Sequence, residues 1–149
     1  MNTDVAKGSE DELSATDLAA ALTVNHLATS TAWYHDIVGF TIDRRHERDG
    51  KLLAVSLRAG QVRLLLTQDD GARGLDRTKG VGFSLQLTTT QDIDALAARI
   101  EARGATLESA PASMPWGVRV FRIRDPDGFR FTISSPQPVG WTSEPDSRV

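Results

Sequence analysis

The sequence contains no cysteine, which excludes thiolate chemistry. The side chains considered for a chemical role are therefore arginines and histidines. A guanidinium presents several donors in a planar fork that matches carboxylates and phosphates. Arg63 and Arg130 occupy equivalent places in two similar segments, and Arg122 lies on the strand predicted beside Arg130. Two interpretations stay open for these arginines: solvated strand faces, or a positive rim that binds an anionic or carbonyl-bearing ligand.

The three histidines are scattered along the chain and form no metal-binding pattern. His26 is predicted between a strand and a helix, His35 on that helix, and His46 near the end of a strand. None belongs to a His-x-His or Glu-x-x-His spacing, which would bring two ligands to one metal. We therefore expect surface or capping roles for all three.

The element that organises these residues is a hairpin in the segment PWGVRVFRIRDPDGFRFTISS. Two alternating strands, Val118–Arg124 and Phe129–Ser134, are joined by Asp125-Pro126-Asp127-Gly128. Proline at the second turn position presets φ, and the final glycine supplies the left-handed residue that closes a tight turn. The alternation predicts one apolar and one polar face for this hairpin.

A second copy of this pattern occurs 67 residues earlier. Gly50–Thr67 aligns without a gap with Gly117–Ser134, and the turn Arg58–Gln61 falls on Asp125–Gly128. Upstream, the strand with Ala20, Leu22 and Val24 matches the strand with Phe83, Leu85 and Leu87. Each strand precedes a predicted helix, so the chain is predicted to duplicate a β-α-β-β-β unit.

Length and composition indicate a soluble globular protein. The 149 residues are 40% hydrophobic and 25% charged, which is enough to build a core. A net charge of −3 without a basic stripe argues against nucleic-acid binding. No apolar run approaches a membrane span, and Met1–Asp17 lacks the apolar stretch of a signal peptide. Without cysteines, disulfides and thiolate chemistry are excluded, and we expect a cytoplasmic protein.

The predicted organisation is one domain between two tails. We expect a disordered tail over 1–16, a first module over 17–67, a linker over 68–79, a second module over 80–135 and a C-terminal tail over 136–149, where Trp141 can dock. The predicted strands outside the DPDG hairpin are Asp17–His26, Phe40–His46, Leu52–Leu57, Val62–Thr67, Val81–Leu87 and Ala105–Ser109.

Two amphipathic helices complete the prediction. The first is capped at Thr29–Thr31, runs to Val38 and buries Trp33 and Ile37. The second spans Asp92–Arg103 with a regular apolar stripe. The turn at Asp49-Gly50 predicts a hairpin between two strands of the first module. Pro111–Gly117 is predicted to be a loop.

Three of these segments, Val24–Phe40, Asp92–Ala105 and Pro115–Gly128, resemble the vicinal oxygen chelate superfamily of glyoxalases, bleomycin resistance proteins and extradiol dioxygenases. The resemblance covers 17–135. It implies an α+β fold of two tandem β-α-β-β-β modules that form a curled, cup-shaped mixed sheet with helices outside. It also implies a homodimer, because a dimer partner often completes the cup.

The resemblance also implies a divalent metal in the cup, and four positions of this chain correspond to its ligands. These positions are occupied by Ala19, Leu65, Gly82 (or Phe83 after a one-residue slip) and Thr132. A stable site needs several imidazole, carboxylate or thiolate donors. We therefore expect no metal and no other cofactor.

Strand alternation assigns the residues that line the implied cup. Its floor consists of small, hydroxyl and amide side chains: Ala19, Ala21, Thr23, Asn25, Leu65, Thr67, Gly82, Ser84, Gln86, Thr132 and Ser134. The expected ligand-binding residues are Thr23, Asn25, Arg63, Leu65, Ser84, Gln86, Trp116, Arg122, Arg130 and Thr132. Trp116 is expected either to stack on a ligand or to pack on its own loop.

Two functional classes follow. The first is a metal-free protein that binds a small molecule by sequestration, as resistance proteins do. The arginines argue against a cationic drug such as bleomycin, which needs an acidic groove. The second is a lyase, isomerase or dioxygenase-like enzyme with an atypical site, although the cup offers no paired carboxylates and no nucleophile beside a base. A structural role as a partner subunit stays open, and no nucleic acid or membrane is expected as a partner.

Overall fold

A computed structural model describes residues 11–74 and 77–138 of the chain. The strands in these ranges are β1 (Ala19–Val24), β2 (Thr41–Arg48), β3 (Lys51–Ala59), β4 (Val62–Gln68), β5 (Ser84–Thr88), β6 (Leu107–Ser113), β7 (Arg119–Arg124) and β8 (Arg130–Ser134). Helix α1 (Leu27–Ala32) continues into a π-helical stretch (Trp33–Val38), and helix α2 spans Ile93–Ala102.

The α+β class and the two tandem β-α-β-β-β modules are confirmed. The strand order is β1-β4-β3-β2 in the first sheet and β5-β8-β7-β6 in the second. In each module the first strand runs parallel to the last, and the other pairs are antiparallel. Within the described residues no strand of one sheet pairs with a strand of the other. The mixed sheet is therefore divided into two four-stranded halves.

The inner faces of the two sheets and both helices share one hydrophobic core. Leu22, Leu64 and Leu66 of the first sheet belong to the same cluster as Phe131 and Ile133 of the second. Helix α2 buries the predicted apolar stripe, which comprises Ile93, Leu96, Ala97 and Ile100. Asp92 caps this helix, since its Oδ1 accepts the N–H of Ala95 at 2.9 Å. The opposite faces of the sheets point away from the core.

Helix α1 begins earlier than predicted and buries a different side chain. Its first residue is Leu27, and the expected caps Ser30 and Thr31 lie inside the helix, where both are buried. The fully buried aromatic residue is Tyr34, whereas Trp33 is only partly buried. Because the last turn is π-helical, with the N–H of Gly39 bonded to the Tyr34 carbonyl, residue spacing there differs from that of an α-helix.

Several predicted boundaries need correction. Strand β5 begins at Ser84, so Gly82 precedes the sheet, and Phe83 is substantially exposed. Strand β6 runs to Ser113 and thus includes part of the predicted loop. In the strand ladders Leu22 pairs with Leu66 and Leu87 pairs with Ile133. Leu22 is therefore equivalent to Leu87, whereas the sequence comparison matched Leu22 with Leu85, two residues earlier. A shift of two residues keeps each side chain on the same face, which explains why alternation did not reveal it.

The hairpin turns have the predicted backbone. Asp49 and Gly50 both have positive φ between β2 and β3, and Gly128 has φ +101° at the end of the DPDG turn. Trp141 lies outside the described residues, so its predicted docking is not addressed by the structure. The described part of the chain contains no helix that is long and apolar enough to cross a membrane.

Candidate functional site

The residues predicted to line one cup are divided between the outer faces of two separate sheets. Thr23, Arg63 and Leu65 lie on the first sheet, where the ladder pairs Ala21 with Leu65 and Thr23 with Thr67. The Thr23 and Thr67 hydroxyls are 3.4 Å apart. The second sheet carries Ser84, Gln86, Arg122, Arg130 and Thr132. A single chain therefore presents two half-sites rather than a closed cup.

The second sheet brings three of the predicted residues side by side. Gln86 pairs with Thr132 across β5 and β8, and Thr132 pairs with Arg122 across β8 and β7. Thr132 is only 6% exposed, which corrects its assignment to an open floor. Arg122 is half-buried and has no ion pair or side-chain hydrogen bond among the described residues. This row, which we call the Gln86–Thr132–Arg122 row, holds an unneutralised cation beside a neutral amide.

Arg130 differs from Arg122 because an acidic residue already neutralises it. Its Nε lies 2.7 Å from Oε1 of Glu108, and Arg124 bonds the other oxygen of the same carboxylate. The Arg130 hydrogen bond, supported by Arg124, lowers the pKa of Glu108 below its ordinary value. Sequence reasoning did not identify Glu108. Its position on the strand predicted next to the arginine-rich β7 was the available signal.

Arg63 is also paired. Its guanidinium forms an ion pair with Asp17, just before β1, and both side chains are about half exposed. Exposed pairs of this kind contribute little to stability, about 0–1 kcal/mol. The equivalent arginines of the two modules thus share an ion-paired state, and the charge available to a ligand on the second sheet is that of Arg122.

Asn25 does not line the outer face as predicted, because its side chain belongs to a buried polar cluster. Its Oδ1 accepts a hydrogen bond from Nζ of Lys79 at 2.7 Å, and the same Nζ lies 2.8 Å from Oδ2 of Asp69. Lys79 and Asp69 are both nearly inaccessible to solvent. The Lys79 hydrogen bond, together with the N–H of Gly71 and the Arg77 guanidinium, holds the pKa of Asp69 at about 2. The linker therefore fixes the end of β1 instead of acting as a polar spacer.

The DPDG turn of the second module is attached to the first helical segment by hydrogen bonds. Oδ2 of Asp125 accepts a 2.7 Å hydrogen bond from the Tyr34 hydroxyl, and its Oδ1 accepts the N–H groups of Asp127 and Phe129. Asp127 in turn accepts the Asn25 N–H at 3.3 Å. Burial raises the pKa of Asp125 and the pKa of Tyr34. This buried pair is structural, since it holds the first helix against the second module.

Trp116 lies in the loop before β7 and is 49% exposed. Its carbonyl accepts a 3.0 Å hydrogen bond from Nε2 of Gln137. No aromatic ring of the described residues contacts the Trp116 ring. The indole is therefore accessible to a ligand or to a partner, and its role as a stacking wall stays a prediction.

The donor set does not fit the divalent metal that the resemblance implies. The strand ladders put Ser84, rather than Gly82, opposite Arg130, as Ala19 is opposite Arg63. The corresponding set is then Ala19, Leu65, Ser84 and Thr132, which offers two neutral hydroxyls and no strong ligand. The described residues contain no group of three or more His, Cys, Asp or Glu side chains that could hold a metal.

The histidines occupy separate places. His26 is the N-cap residue of α1 without a side-chain cap bond, and His46 Nε2 lies 3.1 Å from the Ser56 hydroxyl on the first sheet. His35 Nδ1 lies 2.6 Å from the Phe40 carbonyl oxygen.

The comparisons with known proteins agree with the two-module fold. A family model described as the Glyoxalase/Bleomycin resistance protein/Dioxygenase superfamily matches residues 18–133. The chain belongs to this superfamily. The match spans both modules and leaves out both tails. No curated protein sequence matches the chain.

Several solved structures share the fold. A superfamily member from Sphaerobacter thermophilus DSM 20745 is 25% identical with a TM-score of 0.68, over 82% of this chain and 98% of the other. TioX from Micromonospora sp. ML1 is 19% identical with a TM-score of 0.65, over 81% and 98% of the two chains. Lactoylglutathione lyase from Agrobacterium tumefaciens is 22% identical with a TM-score of 0.62, over 87% and 100%.

Proposed function

We propose that this glyoxalase-superfamily protein binds a small anionic or carbonyl-bearing molecule without a metal, as a sequestration or resistance-type protein. The observation that carries the proposal is the Gln86–Thr132–Arg122 row. A half-buried guanidinium without an acidic partner has lost part of its hydration, and an anionic ligand would restore the missing hydrogen bonds. On the same face, Gln86 lies on the other side of Thr132, and Ser84 lies two residues before Gln86; both supply neutral donors and acceptors.

The side chains at the metal-ligand positions of the superfamily support binding without metal catalysis. An alanine, a leucine and two hydroxyl residues cannot polarise a substrate carbonyl through a bound cation. The described outer faces carry one hydroxyl hydrogen-bonded to an imidazole, Ser56 with His46, and no further hydrogen bond or ion pair among the described residues orients His46 as a base. Recognition by shape and hydrogen bonds is the chemistry that these residues can perform.

We further propose that a second copy of the chain completes the site as a homodimer. Each chain exposes the outer faces of both sheets, and a half-site on a single open face buries too little of a ligand. A two-fold partner would bring the first sheet of one copy over the second sheet of the other. Thr23, Arg63 and Leu65 would then face the Gln86–Thr132–Arg122 row across the ligand, with Arg130 and Trp116 at the margin.

Binding can be tested with Arg122→Met, which keeps the length of the side chain and removes the charge. A ligand is first found by a thermal-shift screen of small carboxylates, phosphates and carbonyl compounds. Loss of a charge-assisted hydrogen bond, worth about 1.5–3 kcal/mol, should weaken its affinity by about tenfold or more. Arg119→Met is the matched control, because Arg119 lies on the same strand and pairs with Asp94 of α2 on the other face. Its affinity should equal that of the wild type.

Two further measurements can contradict the proposal. Stoichiometric divalent metal in the purified protein, found by elemental mass spectrometry, would favour the lyase, isomerase or dioxygenase-like alternative. Light scattering coupled to size-exclusion chromatography should give a dimer at micromolar concentrations. A monomer throughout that range would remove the second wall of the proposed site.

A further inference from the structure

A cavity lies on the core side of the sheets, apart from the Gln86–Thr132–Arg122 row. Its volume is about 990 Å³, and it is lined by both modules. The first module contributes the end of the π-helical stretch and the turn 59–62. The second contributes the segment 87–91 and one side of α2. This volume is within the range of small-molecule sites, which is about 300–1,000 Å³.

The cavity exists because the two modules are not equivalent at their boundary. Tyr34 is the last buried residue of the first helical segment, and Ile100 holds the same place in α2, since both helices bury residues at i, i+3, i+4 and i+7. Asp125 of the second turn corresponds to Arg58 of the first. Tyr34 and Asp125 bind each other and close their side of the boundary. Ile100 has no hydroxyl, and Arg58 pairs with Asp43 instead, so the equivalent side stays open.

The polar side chains at this cavity are basic or neutral. Arg99 lies on α2, Arg103 follows one turn later as the C-cap residue, and His35 comes from the first module. Neither arginine has an ion pair or side-chain hydrogen bond among the described residues. A Cβ at Gly39 would lie 3.8 Å from Nη1 of Arg103, so this guanidinium reaches across to the first module. No Asp or Glu is found among the described lining residues.

The remaining wall divides into an apolar floor and a hydroxyl-rich side. Leu87, Leu96, Ile100 and Ile133 supply buried or partly buried aliphatic surface. Consecutive threonines at 88–90, followed by Gln91, supply hydroxyl and amide groups. An apolar floor under two unpaired guanidinium groups suits a molecule with an apolar body and one anionic head.

We propose that this inter-module cavity is a second binding site, for a small carboxylate with an aliphatic body. The carboxylate bonds the Arg99 and Arg103 guanidinium groups at the mouth, and the aliphatic part lies on the floor formed by Leu96, Ile100 and Ile133. This site does not depend on a dimer, because both walls come from one chain.

The test uses octanoate and 1-octanol, two probes with the same chain length and a different head group. Amide chemical shifts of the wild type are followed by NMR as each probe is added. Octanoate should shift the amides of Gly60 and Thr88–Gln91 with a saturable, one-site curve. The variant Arg99→Gln/Arg103→Gln should weaken the affinity for octanoate by about tenfold or more and leave the affinity for 1-octanol unchanged, because only the carboxylate needs the guanidinium groups.

A charge-preserving variant, Arg99→Lys/Arg103→Lys, keeps the proposal testable if the glutamine variant does not fold. It should retain octanoate binding within a few-fold, since lysine still supplies the positive charge. The proposal is overturned if octanoate gives no saturable shifts at these amides. It is also overturned if Arg99→Gln/Arg103→Gln weakens the affinities for octanoate and 1-octanol equally, or if Arg99→Lys/Arg103→Lys loses octanoate binding. Arg122→Met should leave octanoate binding intact, so failure here and failure of the proposed outer-face site are separate results.

Discussion

Removal of the Tyr34 hydroxyl should loosen the contact between the two modules. In the wild type this hydroxyl donates a 2.7 Å hydrogen bond to Oδ2 of Asp125, and both side chains are buried. Tyr34→Phe keeps the ring and its edge-to-face contacts with Phe40 and Phe131. The substitution therefore isolates the hydrogen bond from the packing.

The expected loss follows from the charge and burial of the acceptor. A hydrogen bond to an ionised group is worth about 1.5–3 kcal/mol, and the bond is short and inaccessible to water. At about 2–4 °C per kcal/mol for a chain of this size, the melting temperature should fall by roughly 3–12 °C. Ser30→Ala provides a comparison, because its hydroxyl lies 3.4 Å from Oδ2 of Asp127 and should contribute less.

Denaturant unfolding of Tyr34→Phe, Asp125→Asn and the double variant measures the coupling directly. The coupling free energy between the two sites should be about 1–3 kcal/mol, because each side chain acts through the other. A loss below about 0.5 kcal/mol for Tyr34→Phe, with no coupling to Asp125, would refute the assignment of this pair as an attachment between modules.

The same variant should show a characteristic pH dependence. Burial raises the pKa of Asp125 above its ordinary 3.8, and the Tyr34 hydrogen bond opposes this rise. A carboxyl whose pKa is raised by folding contributes stability at low pH that is lost as the pH rises through the folded value. Tyr34→Phe should raise the pKa of folded Asp125 further, because it removes the hydrogen bond that opposes the rise. The difference in unfolding free energy from the wild type should therefore be larger at pH 7 than at about pH 4.5.

Two other substitutions examine the junction of the linker with the sheets. At Gly80, where φ is +77°, an alanine Cβ would lie 2.6 Å from the Gly128 carbonyl oxygen. At Gly82, where φ is +73°, an alanine Cβ would have no atom within 4 Å. Chemical denaturation should show that Gly80→Ala is less stable than Gly82→Ala by about 1 kcal/mol or more, and equal losses would mean that backbone strain alone is responsible. For Asp69, whose pKa falls from 3.8 to about 2 on folding, the stability that depends on its charge should be present above about pH 4 and lost as the pH falls toward 2. Wild type and Asp69→Asn should thus converge at low pH, and a constant difference from pH 7 to pH 2 would contradict the pairing with Lys79.

The repeated modules can be recognised in the chain itself, because their signals are local. The glycine at the end of the DPDG turn and the Asp49-Gly50 pair require positive φ, which few other residues adopt. Alternation across β8 and the apolar stripe of α2 are likewise properties of neighbouring residues. Because the same local patterns occur in both modules, the order of the elements was predicted correctly in both halves.

Finer local features depended on contacts that sequence spacing does not encode. The expected caps Ser30 and Thr31 became buried helical residues. The hydroxyl of Ser30 lies 3.4 Å from Oδ2 of Asp127 in the other module, whereas that of Thr31 has no hydrogen-bond partner among the described residues. Tyr34 replaced Trp33 as the main core aromatic because it continues the buried face of the helical segment formed by Leu27, Ser30 and Thr31. The two-residue shift at β5 left every face unchanged and was therefore invisible to periodicity.

The state of the candidate site residues was decided by residues distant in the chain. Arg63, Arg122 and Arg130 look alike in sequence, but Asp17 neutralises the first and Glu108 the third. Asn25 was drawn away from the outer face by Lys79, which is 54 positions later. The inter-module cavity lies at Ile100 and the turn 59–62, on the side of the core that has no counterpart of the Tyr34–Asp125 hydrogen bond. Short-range spacing determines which face a side chain occupies, whereas its charge balance and accessibility depend on which distant groups the packed modules bring against it.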